Sequence, residues 1–325
     1  MTIEPSDPKV SGPECSVIVP LYRNEANVPR LLERLEALDR SIPGGIEAVC
    51  VVDGSPDLTH ALLVERLPRA PYRSRLLLLS RNFGSFAAIR EGLRCAGGRW
   101  FAVMAADLQE PQELVEAFFR VLRADEADVV LGTRAARADG LAERTAANAF
   151  WGLYRRLINP EVPPGGVDVF GCNAAFRERL LGFQESNSSL IGQLLWLGFR
   201  RKTVPYAREA RDEGVSAWTF RRKAKYLLDN VFAFSDLPIK VFTALGILGL
   251  LASVVLGVVV VAARLSGAIE VPGYTPTILA ISFFASLNLL ALGIMGSYVW
   301  RAYENTKARP LAVVMRAERY GPPSP

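Results

Sequence analysis

Short apolar runs alternate with helix-like stretches from residue 16 onward. The apolar runs are continuous, which is typical of parallel strands buried on both faces. The expected strands lie at 16–20, 46–52, 75–80, 100–106 and 127–133. The expected helices lie near 27–38, 57–67, 83–96 and 112–124. The pattern predicts an α/β domain with a parallel sheet and helices on both faces.

Two uncharged stretches, 241–263 and 277–299, follow near the C-terminus. At ~1.5 Å per helical residue each reaches roughly 34 Å, enough to cross a hydrocarbon core ~30 Å thick. The alternative is a buried core helix, but such a helix rarely remains uncharged over this length. We therefore expect two transmembrane helices.

Basic residues flank this pair of stretches on its outer sides. They are Arg221, Arg222, Lys223, Lys225 and Lys240 before the first stretch, and Arg301, Lys307 and Arg309 after the second. The connecting loop carries only Arg264, opposed by Glu270. The positive-inside rule then places both termini and the first domain in the cytoplasm and the loop outside.

The segment 217–238 mixes aromatic and basic residues directly before the first apolar stretch. This mixture favours an amphipathic helix in the headgroup layer, with an ordinary packed helix as the alternative. The predicted organisation is a flexible N-terminus (1–13), a cytoplasmic catalytic domain (14–216), the amphipathic helix (217–238), two spans with a short loop (239–300) and a cytoplasmic tail (301–325).

The composition agrees with a soluble domain joined to a few membrane spans. Half of the 325 residues are hydrophobic, and the mean hydropathy is +0.19. The net charge of +5 suits nucleic acid, an anionic membrane surface or a phosphate-bearing substrate, and charge alone does not choose among them. His60 is the single histidine, which excludes a multi-histidine metal site, and no Cys-x-x-Cys pair occurs.

Polar side chains gather where the expected strands end. They are Tyr22, Asn24 and Glu25; Asp53, Ser55 and Asp57; Arg81 and Asn82; Asp107 and Gln109; and Arg134 and Arg137. Ligands of such sheets bind at the carboxyl ends of the strands. Acids and amides can address base, ribose and metal, while arginine forks hold phosphate oxygens. The set predicts a site for a nucleoside diphosphate with a cation. Asp53 and Asp57 also fit a purely structural reading as turn or cap residues.

The acidic stretch "MAADLQEPQE" (104–113) holds Asp107 without a second Asp two residues earlier, where Ala105 stands. We interpret it as a Mg²⁺ or Mn²⁺ loop that needs one carboxylate, because the diphosphate and water supply the remaining ligands. No Gly-x-Gly-x-x-Gly follows the first strand and no Gly-Lys-[Ser/Thr] loop occurs, which argues against a dinucleotide dehydrogenase and a phosphate-loop NTPase.

Several stretches together resemble one enzyme family. They are "VPLYRNEANVP" (19–29), "VVDGSPDLT" (51–59), "LSRNFGSFAAIREGL" (79–93), the acidic stretch, "VPYAREARDEGVSAW" (204–218) and "LGIMGSYVWRAYENTKARP" (292–310). From about residue 14 to 315 the chain is similar to the polyprenyl-phosphate glycosyltransferases of glycosyltransferase family 2, the group resembling dolichol-phosphate mannosyltransferase with two C-terminal transmembrane helices. The resemblance implies an A-type glycosyltransferase (Rossmann-like) fold, a nucleotide sugar donor, a polyprenyl phosphate acceptor and a divalent cation.

The resemblance also assigns roles by position. Donor-nucleotide residues would be Pro20, Tyr22, Glu25, Asp53 and Arg81, and phosphate-binding residues would be Arg134, Arg137, Arg208, Arg211 and Ser216. Asp107 and Gln109 match the metal-binding part of the acidic motif. Asp107 and Asp168 would be the catalytic acids, Asp168 standing near the family's acid ahead of its acceptor-side helix.

Several positions depart from the family pattern. Val52 and Ala105 each replace an Asp, and Ser85 and Ala217 each replace a Lys. Arg23 and Asn24 stand where Asn-Glu is usual, so Glu25 is shifted by one position. These departures indicate a subgroup with a different donor or a different grip on phosphate.

The expected activity is inverting transfer of one sugar from a nucleotide sugar, with UDP as the expected nucleotide, to polyprenyl phosphate. The expected location is the inner (plasma) membrane, with the lipid bilayer as a partner and nucleic acid excluded as one. The alternatives are a processive polysaccharide synthase and a catalytically degenerate, membrane-bound binding scaffold. The sequence leaves open the sugar, the polyprenol and whether the chain forms a homo-oligomer.

Overall fold

The computed structural model describes residues 13–136, 163, 166–167, 169–185, 188–207, 237–266 and 273–321. Some predictions lie outside these residues. They are the N-terminus before residue 13, the amphipathic helix up to residue 236, and the site candidates Arg137, Asp168, Arg208, Arg211 and Ser216. They stay predictions.

Within the described residues one eight-stranded sheet forms the centre of the fold. Its strands are β1 (Cys15–Leu21), β2 (Ile46–Val52), β3 (Arg73–Leu79), β4 (Trp100–Val103), β5 (Val129–Ala136), β6 (Phe170–Asn173), β7 (Arg201–Ala207) and β8 (Val314–Tyr320). They lie side by side in the order β7-β5-β6-β4-β1-β2-β3-β8. All seven residues of β2 are buried, because both faces of the sheet are covered.

The prediction of a wholly parallel sheet is wrong at two strands. β4, β1, β2 and β3 are parallel neighbours, and β5 pairs in parallel with β7. β6 instead runs antiparallel between β4 and β5, and β8 runs antiparallel along β3. The sheet is therefore mixed. The reason is chain direction, because each of these strands enters the sheet from the edge where its neighbours end.

In the part of the chain that the structure describes, six helices cover the two faces of the sheet. They are α1 (Val28–Ser41), α2 (Thr59–Arg66), α3 (Ser85–Cys95), α4 (Gln112–Arg123), α5 (Ala174–Gly182) and α6 (Leu190–Trp196). α1, α2 and α4 bury side chains such as Leu35, Leu63 and Phe118 in one core cluster. α3, α5 and α6 bury Leu93 and Phe176, among others, in the cluster on the opposite face. This three-layer arrangement is the α/β fold that the pattern of the sequence predicted.

The four cysteines, Cys15, Cys50, Cys95 and Cys172, are buried and free. Burial raises the pKa of Cys15 to about 11, against the opposing effect of Arg123. Burial also raises the pKa of Cys50 and of Cys172 to about 12. These thiols are therefore protonated near neutral pH and behave as small apolar side chains.

Two long helices, α7 (Leu237–Leu265) and α8 (Tyr274–Thr306), contain the two apolar stretches. Many of their large apolar side chains are exposed, including Leu248, Val258, Leu289 and Val299. Among the described residues one segment, Phe283–Thr306, is long and apolar enough by composition to cross a membrane, and none of its apolar window is buried in the protein. The second predicted span thus stays a prediction.

The sequence analysis did not predict β6, β7, α5 or α6, and it also missed strand β8. Residues 301–325 were predicted to be a tail separate from the catalytic domain. The structure instead extends α8 to Thr306 and then returns the chain to the sheet, where Leu78 lies opposite Arg316. β8 is an edge strand with mostly exposed side chains, so it lacks the continuous apolar run that marked the inner strands.

A cross-link tests this pairing. Cysteines introduced by Leu78→Cys and Arg316→Cys should form a disulfide in purified, mildly oxidised protein, because opposed antiparallel residues have Cα atoms about 4.5–5.5 Å apart. The measurement is a mobility shift reversed by reductant. The control pair, Leu78→Cys with Ala317→Cys, places the second thiol on the other face of the sheet. Equal cross-linking of both pairs, or of neither, would contradict the register.

Candidate functional site

The predicted site lies along the carboxyl ends of four adjacent strands. Because the strand order includes β4-β1-β2-β3, the acidic loop after β4 adjoins the loop after β1. The loops after β2 and β3 follow in turn along the same edge. The structure therefore brings together the candidates Pro20, Tyr22, Glu25, Asp53, Arg81, Asp107 and Gln109. Arg134, near the end of β5, is separated from β4 by the width of β6.

Side chains of the β2 loop hold the backbone of the β1 loop. Arg23 N–H donates to Ser55 Oγ (2.7 Å), Asn24 N–H to Thr59 Oγ1 (3.1 Å), and Glu25 N–H to Asp57 Oδ2 (3.2 Å). These bonds bind a segment in which Arg23 has a left-handed backbone (φ 56°). The loop geometry is thus fixed by its neighbour, which favours a preformed binding surface.

The same two loops are also joined in the reverse direction. Leu58 N–H donates to Glu25 Oε2 (2.9 Å), so the Glu25 carboxylate secures the β2 loop. Burial acts to raise the pKa of Asp57, but hydrogen bonds from Ser55, Thr59 and the Glu25 N–H outweigh it and hold the pKa below the ordinary value. Asp57 has the turn role that the sequence left open, since its Oδ1 accepts from Thr59 N–H (3.2 Å).

An open cleft of about 440 Å³ lies over these loops. Its lining comprises Arg23, Asn24, Glu25, Ala26, Asn27, Pro56 and Asp57. Tyr22 stands beside it with 39% of its surface exposed, and the Arg23 guanidinium lies 5.5 Å from the centre of the Tyr22 ring. An exposed aromatic ring beside amide and carboxylate oxygens can contact a nucleobase by stacking and hydrogen bonding.

Asp53 is 2% exposed, and its carboxylate is occupied by backbone donors of the next loop. Phe83 N–H donates to its Oδ1 (2.7 Å) and Gly84 N–H to its Oδ2 (2.8 Å). Burial raises the pKa of Asp53, opposed by these two N–H groups and by Arg81. Asp53 therefore positions the loop after β3, a role the sequence analysis did not identify. Its predicted contact with the nucleoside stays a prediction.

Gly54 reinforces this link between the two loops. It has a left-handed backbone (φ 57°), and a Cβ there would lie 2.3 Å from the carbonyl carbon of Arg81. The loop Arg81–Gly84, which we call the grip loop, thus packs directly against the end of β2. Within it the Arg81 guanidinium is exposed and lies 4.0 Å from the centre of the Phe83 ring. Its fork remains accessible to an anionic ligand.

The acidic loop changes direction at Leu108, a residue that the sequence analysis did not identify. Leu108 has a left-handed backbone (φ 54°) and a side chain that is 7% exposed and packs in the core. A bulky residue in this conformation is strained and persists only when its surroundings fix it. Asp107 and Gln109 flank this anchor, with Gln109 6% exposed and Asp107 more accessible.

The donor set of this loop suits a hard cation that arrives with its phosphate ligands. Asp107 offers carboxylate oxygens and Gln109 an amide oxygen, and Mg²⁺ sites often use one or two carboxylates together with substrate phosphates. No group of three His, Cys, Asp or Glu side chains that could hold a metal ion occurs in the described part of the chain. The loop thus fits a cation shared with a diphosphate.

A buried arginine on α3 is a further residue that the sequence analysis missed. Arg90 is 4% exposed and its Nη1 donates to Leu180 O (2.9 Å) and to Gln193 Oε1 (2.9 Å). Burial lowers the pKa of Arg90, and the positive charge of Arg94 lowers it further. These bonds tie α3 to the end of α5 and to α6.

Residues 16–182, half of the chain, match the family described as glycosyl transferase family 2. An uncharacterised glycosyltransferase of Synechocystis sp. is 31% identical over 302 residues, which cover 93% of this chain and 94% of that protein. The chain belongs to glycosyl transferase family 2. The protein is a glycosyltransferase.

Two further family 2 relatives have names that specify an acceptor lipid. A prophage-derived bactoprenol glucosyl transferase of Shigella flexneri is 27% identical over 308 residues, covering 94% of this chain and 99% of the relative. A prophage bactoprenol glucosyl transferase homologue of Escherichia coli is 26% identical with the same coverage. Among solved structures, a mannosyltransferase of Pyrobaculum calidifontis with GDP-mannose and Mn²⁺ has a TM-score of 0.49 at 20% identity, covering 93% of this chain and 87% of that chain.

Proposed function

We propose that this family 2 enzyme transfers one sugar from a nucleotide sugar, with UDP as the nucleotide, to a polyprenyl phosphate at the cytoplasmic face of the membrane. The observation that carries the proposal is that the strand-end loops and the apolar helix α8 connect to the same sheet. The donor-side loops occupy one edge of the sheet, and the chain leaving the apolar helix α8 enters the same sheet beside β3. Relatives named for bactoprenol match along nearly their whole length, which supports a polyprenyl acceptor.

The pairing of β8 with β3 supports two membrane spans. The chain leaves the catalytic domain after β7, passes through α7 and α8, and returns as β8 to the same sheet. A single crossing would leave β8 and β3 on opposite sides of the bilayer, so their pairing favours two crossings over one. The exposed apolar side chains of both helices suit lipid contact. The basic flanks then favour the cytoplasm for the domain and for both termini.

The proposed transfer depends on positioning of the two substrates and on stabilisation of negative charge, and it needs no strong base. The acceptor phosphate is already anionic at neutral pH, so it can attack the anomeric carbon directly and invert it. Negative charge then develops on the departing nucleoside diphosphate. Exposed guanidinium groups such as Arg81, with Arg134, Arg137, Arg208, Arg211 and Ser216 as further predicted phosphate ligands, would stabilise that charge.

Asp107 and Gln109 would hold a divalent cation against the diphosphate. When bound, such a cation neutralises charge on the leaving group as a Lewis acid. The β1 loop and the β2 loop would orient the nucleoside above the cleft, and Asp53 would fix the grip loop through Phe83 and Gly84. Asp168 is proposed as a second acid on the acceptor side.

A binding scaffold without catalysis is the second candidate, favoured by the loss of Asp at Val52 and Ala105. A processive synthase is less well supported, because the Gln-x-x-Arg-Trp motif of such enzymes is absent from the sequence. Both alternatives differ from the proposal in their products. The scaffold yields no glycosylated lipid, and the synthase yields a polymer.

The deciding experiment incubates the purified protein in lipid vesicles with a panel of nucleotide sugars and a short polyprenyl phosphate. We expect one donor to give a lipid product heavier by a single sugar residue, detected by mass spectrometry. The matched control replaces polyprenyl phosphate with the corresponding polyprenol, which lacks the attacking phosphate. No lipid product from any donor would reject transferase activity on this acceptor, and a ladder of products would favour the synthase.

A further inference from the structure

A short connection joins the apolar helix α8 to the edge strand β8. It comprises residues 308–313, which we call the strap. The strap begins at Ala308, whose left-handed backbone (φ 46°) ends the helix, and Pro310 lies within it. The six steps from Lys307 to Val313 span at most roughly 20 Å even when fully extended. The end of α8 and the start of β8 therefore lie close together.

The helix end carries side chains suited to the lipid headgroup layer. Trp300 and Tyr303 are exposed, by 58% and 55%, on the last turns of α8. The Lys307 ammonium lies 5.1 Å from the centre of the Trp300 ring and 4.4 Å from that of Tyr303, and it also pairs with Glu304. Aromatic rings combined with a basic side chain at the end of an apolar helix are typical of a membrane–water interface. We call Trp300, Tyr303 and Lys307 the interface cluster.

The other end of the strap contacts the catalytic domain beside the grip loop. Ser80 N–H donates to Val313 O (2.9 Å), and Ser80 directly precedes Arg81. Ala312 is 6% exposed and belongs to the same core cluster as Ile89 of α3. The strap is thus packed and hydrogen-bonded at this end.

The grip loop is consequently held from both sides. On one side, the Asp53 carboxylate accepts the Phe83 and Gly84 N–H groups. On the other side, the residue before the loop is bonded to Val313 of the strap. One continuous path therefore leads from the interface cluster through the strap to the loop that carries Arg81, without passing through the residues between β7 and α7.

We propose that the strap is a positioning element that sets the height of the grip loop above the headgroup layer. Its short, packed course would hold Arg81 at the depth where the phosphate of a membrane-embedded acceptor lies. This proposal rests on the proposed function, and it adds a source of acceptor selectivity. A phosphate anchored at headgroup depth meets the donor, whereas hydrolysis of the donor by water does not depend on that depth.

The physical reason is effective concentration. An acceptor confined to the bilayer reacts well only if the donor site is held at a matching height, because misplacement by about 1 Å can lower a rate on the order of 100-fold. A flexible strap would let the site sample many heights, and only a fraction of them would meet the phosphate. Attack by water on the same donor needs no such match.

The test lengthens the strap without altering any residue of the site. A Gly-Ser insert of about six residues between Arg309 and Pro310 adds roughly 13 Å of root-mean-square reach. The matched control places the same insert after Gly321, beyond β8. Both variants and the unchanged protein are assayed in vesicles for sugar transfer to polyprenyl phosphate and, separately, for hydrolysis of the nucleotide sugar by water.

We expect the strap insert to lower kcat/KM for polyprenyl phosphate on the order of 100-fold while donor hydrolysis and the KM for donor stay within about twofold. The insert after Gly321 should leave both activities unchanged. Unaltered lipid transfer by the strap variant would overturn the positioning role. An equal loss of both activities would also overturn it, since the insert would then act on folding or on donor binding. If the unchanged protein hydrolyses donor but does not glycosylate the lipid, the proposed function fails and the positioning role fails with it.

Discussion

Replacing Asp107 with Asn is expected to remove turnover and leave the fold intact. Asp107 is the carboxylate of the acidic loop, and the buried, left-handed Leu108 fixes the turn beside it. Loss of its charge would weaken the binding of the cation that neutralises the departing diphosphate. The expected fall in kcat is on the order of 10³-fold, the upper end of the effect of removing one preorganised electrostatic contact. Sugar transfer measures the effect, and thermal unfolding checks the fold.

Cation binding provides a second readout for the same variant. Titration of Mn²⁺ followed by electron paramagnetic resonance, with nucleoside diphosphate present, should give weaker binding in Asp107→Asn than in the unchanged protein. Ala105→Ser serves as the control, because Ala105 lies two residues before Asp107 and is not assigned to the cation. Chelator should stop the unchanged enzyme, and Mg²⁺ or Mn²⁺ should restore it. Full activity after chelation, with a normal Asp107→Asn variant, would leave the arginines to carry the mechanism.

Gly54→Ala is expected to displace the grip loop and to lower both activity and stability. The added Cβ would lie 2.3 Å from the Arg81 carbonyl carbon and 2.6 Å from the Asn82 nitrogen, so backbone must move. Displacement of Arg81 should lower kcat/KM on the order of 100-fold. The clash and the left-handed backbone together should lower the free energy of unfolding by about 1–3 kcal/mol. Steady-state kinetics and urea unfolding measure the two effects.

Gly44→Ala is the matched control for this substitution. Gly44 also has a left-handed backbone (φ 83°), but a Cβ there would meet nothing within 4 Å. It therefore reproduces the conformational strain without the contact. We expect Gly44→Ala to cost some stability and to leave kcat/KM unchanged. If both variants lost activity to the same extent, the loss would reflect strain in general, and the contact between Gly54 and Arg81 would have no special role.

Strands β1 to β5 and helices α1 to α4 were predictable because their signals are local. β2 was expected at 46–52 and lies at Ile46–Val52, since a strand covered on both faces must be apolar at every position. The two long apolar helices were evident for a similar reason, because length and lack of charge are properties of a single segment. Ligand-binding loops at the strand ends then followed from the geometry of parallel strands.

The sequence predicted which loops form the candidate site, but it predicted less well what each side chain does there. The sequence placed Asp53 among donor contacts, yet its carboxylate binds the Phe83 and Gly84 N–H groups, which lie 30 and 31 residues further along the chain. It likewise gave no sign that Leu108 would adopt a left-handed backbone. Each of these facts depends on which residues from other segments approach the loop, and periodicity carries no information about that.

By itself the sequence determined the α/β class, the apolar helices near the C-terminus and the chemical character of the loops at the strand ends. These features follow from side-chain volume, polarity and spacing within a few turns or strands. Only the tertiary structure decided that β6 and β8 run against their neighbours, that Gly54 packs against Arg81, and that the strap lies beside the grip loop. The physical reason is that an exposed edge strand such as β8 is specified by the free backbone groups of its partner, which lies about 240 residues earlier in the chain.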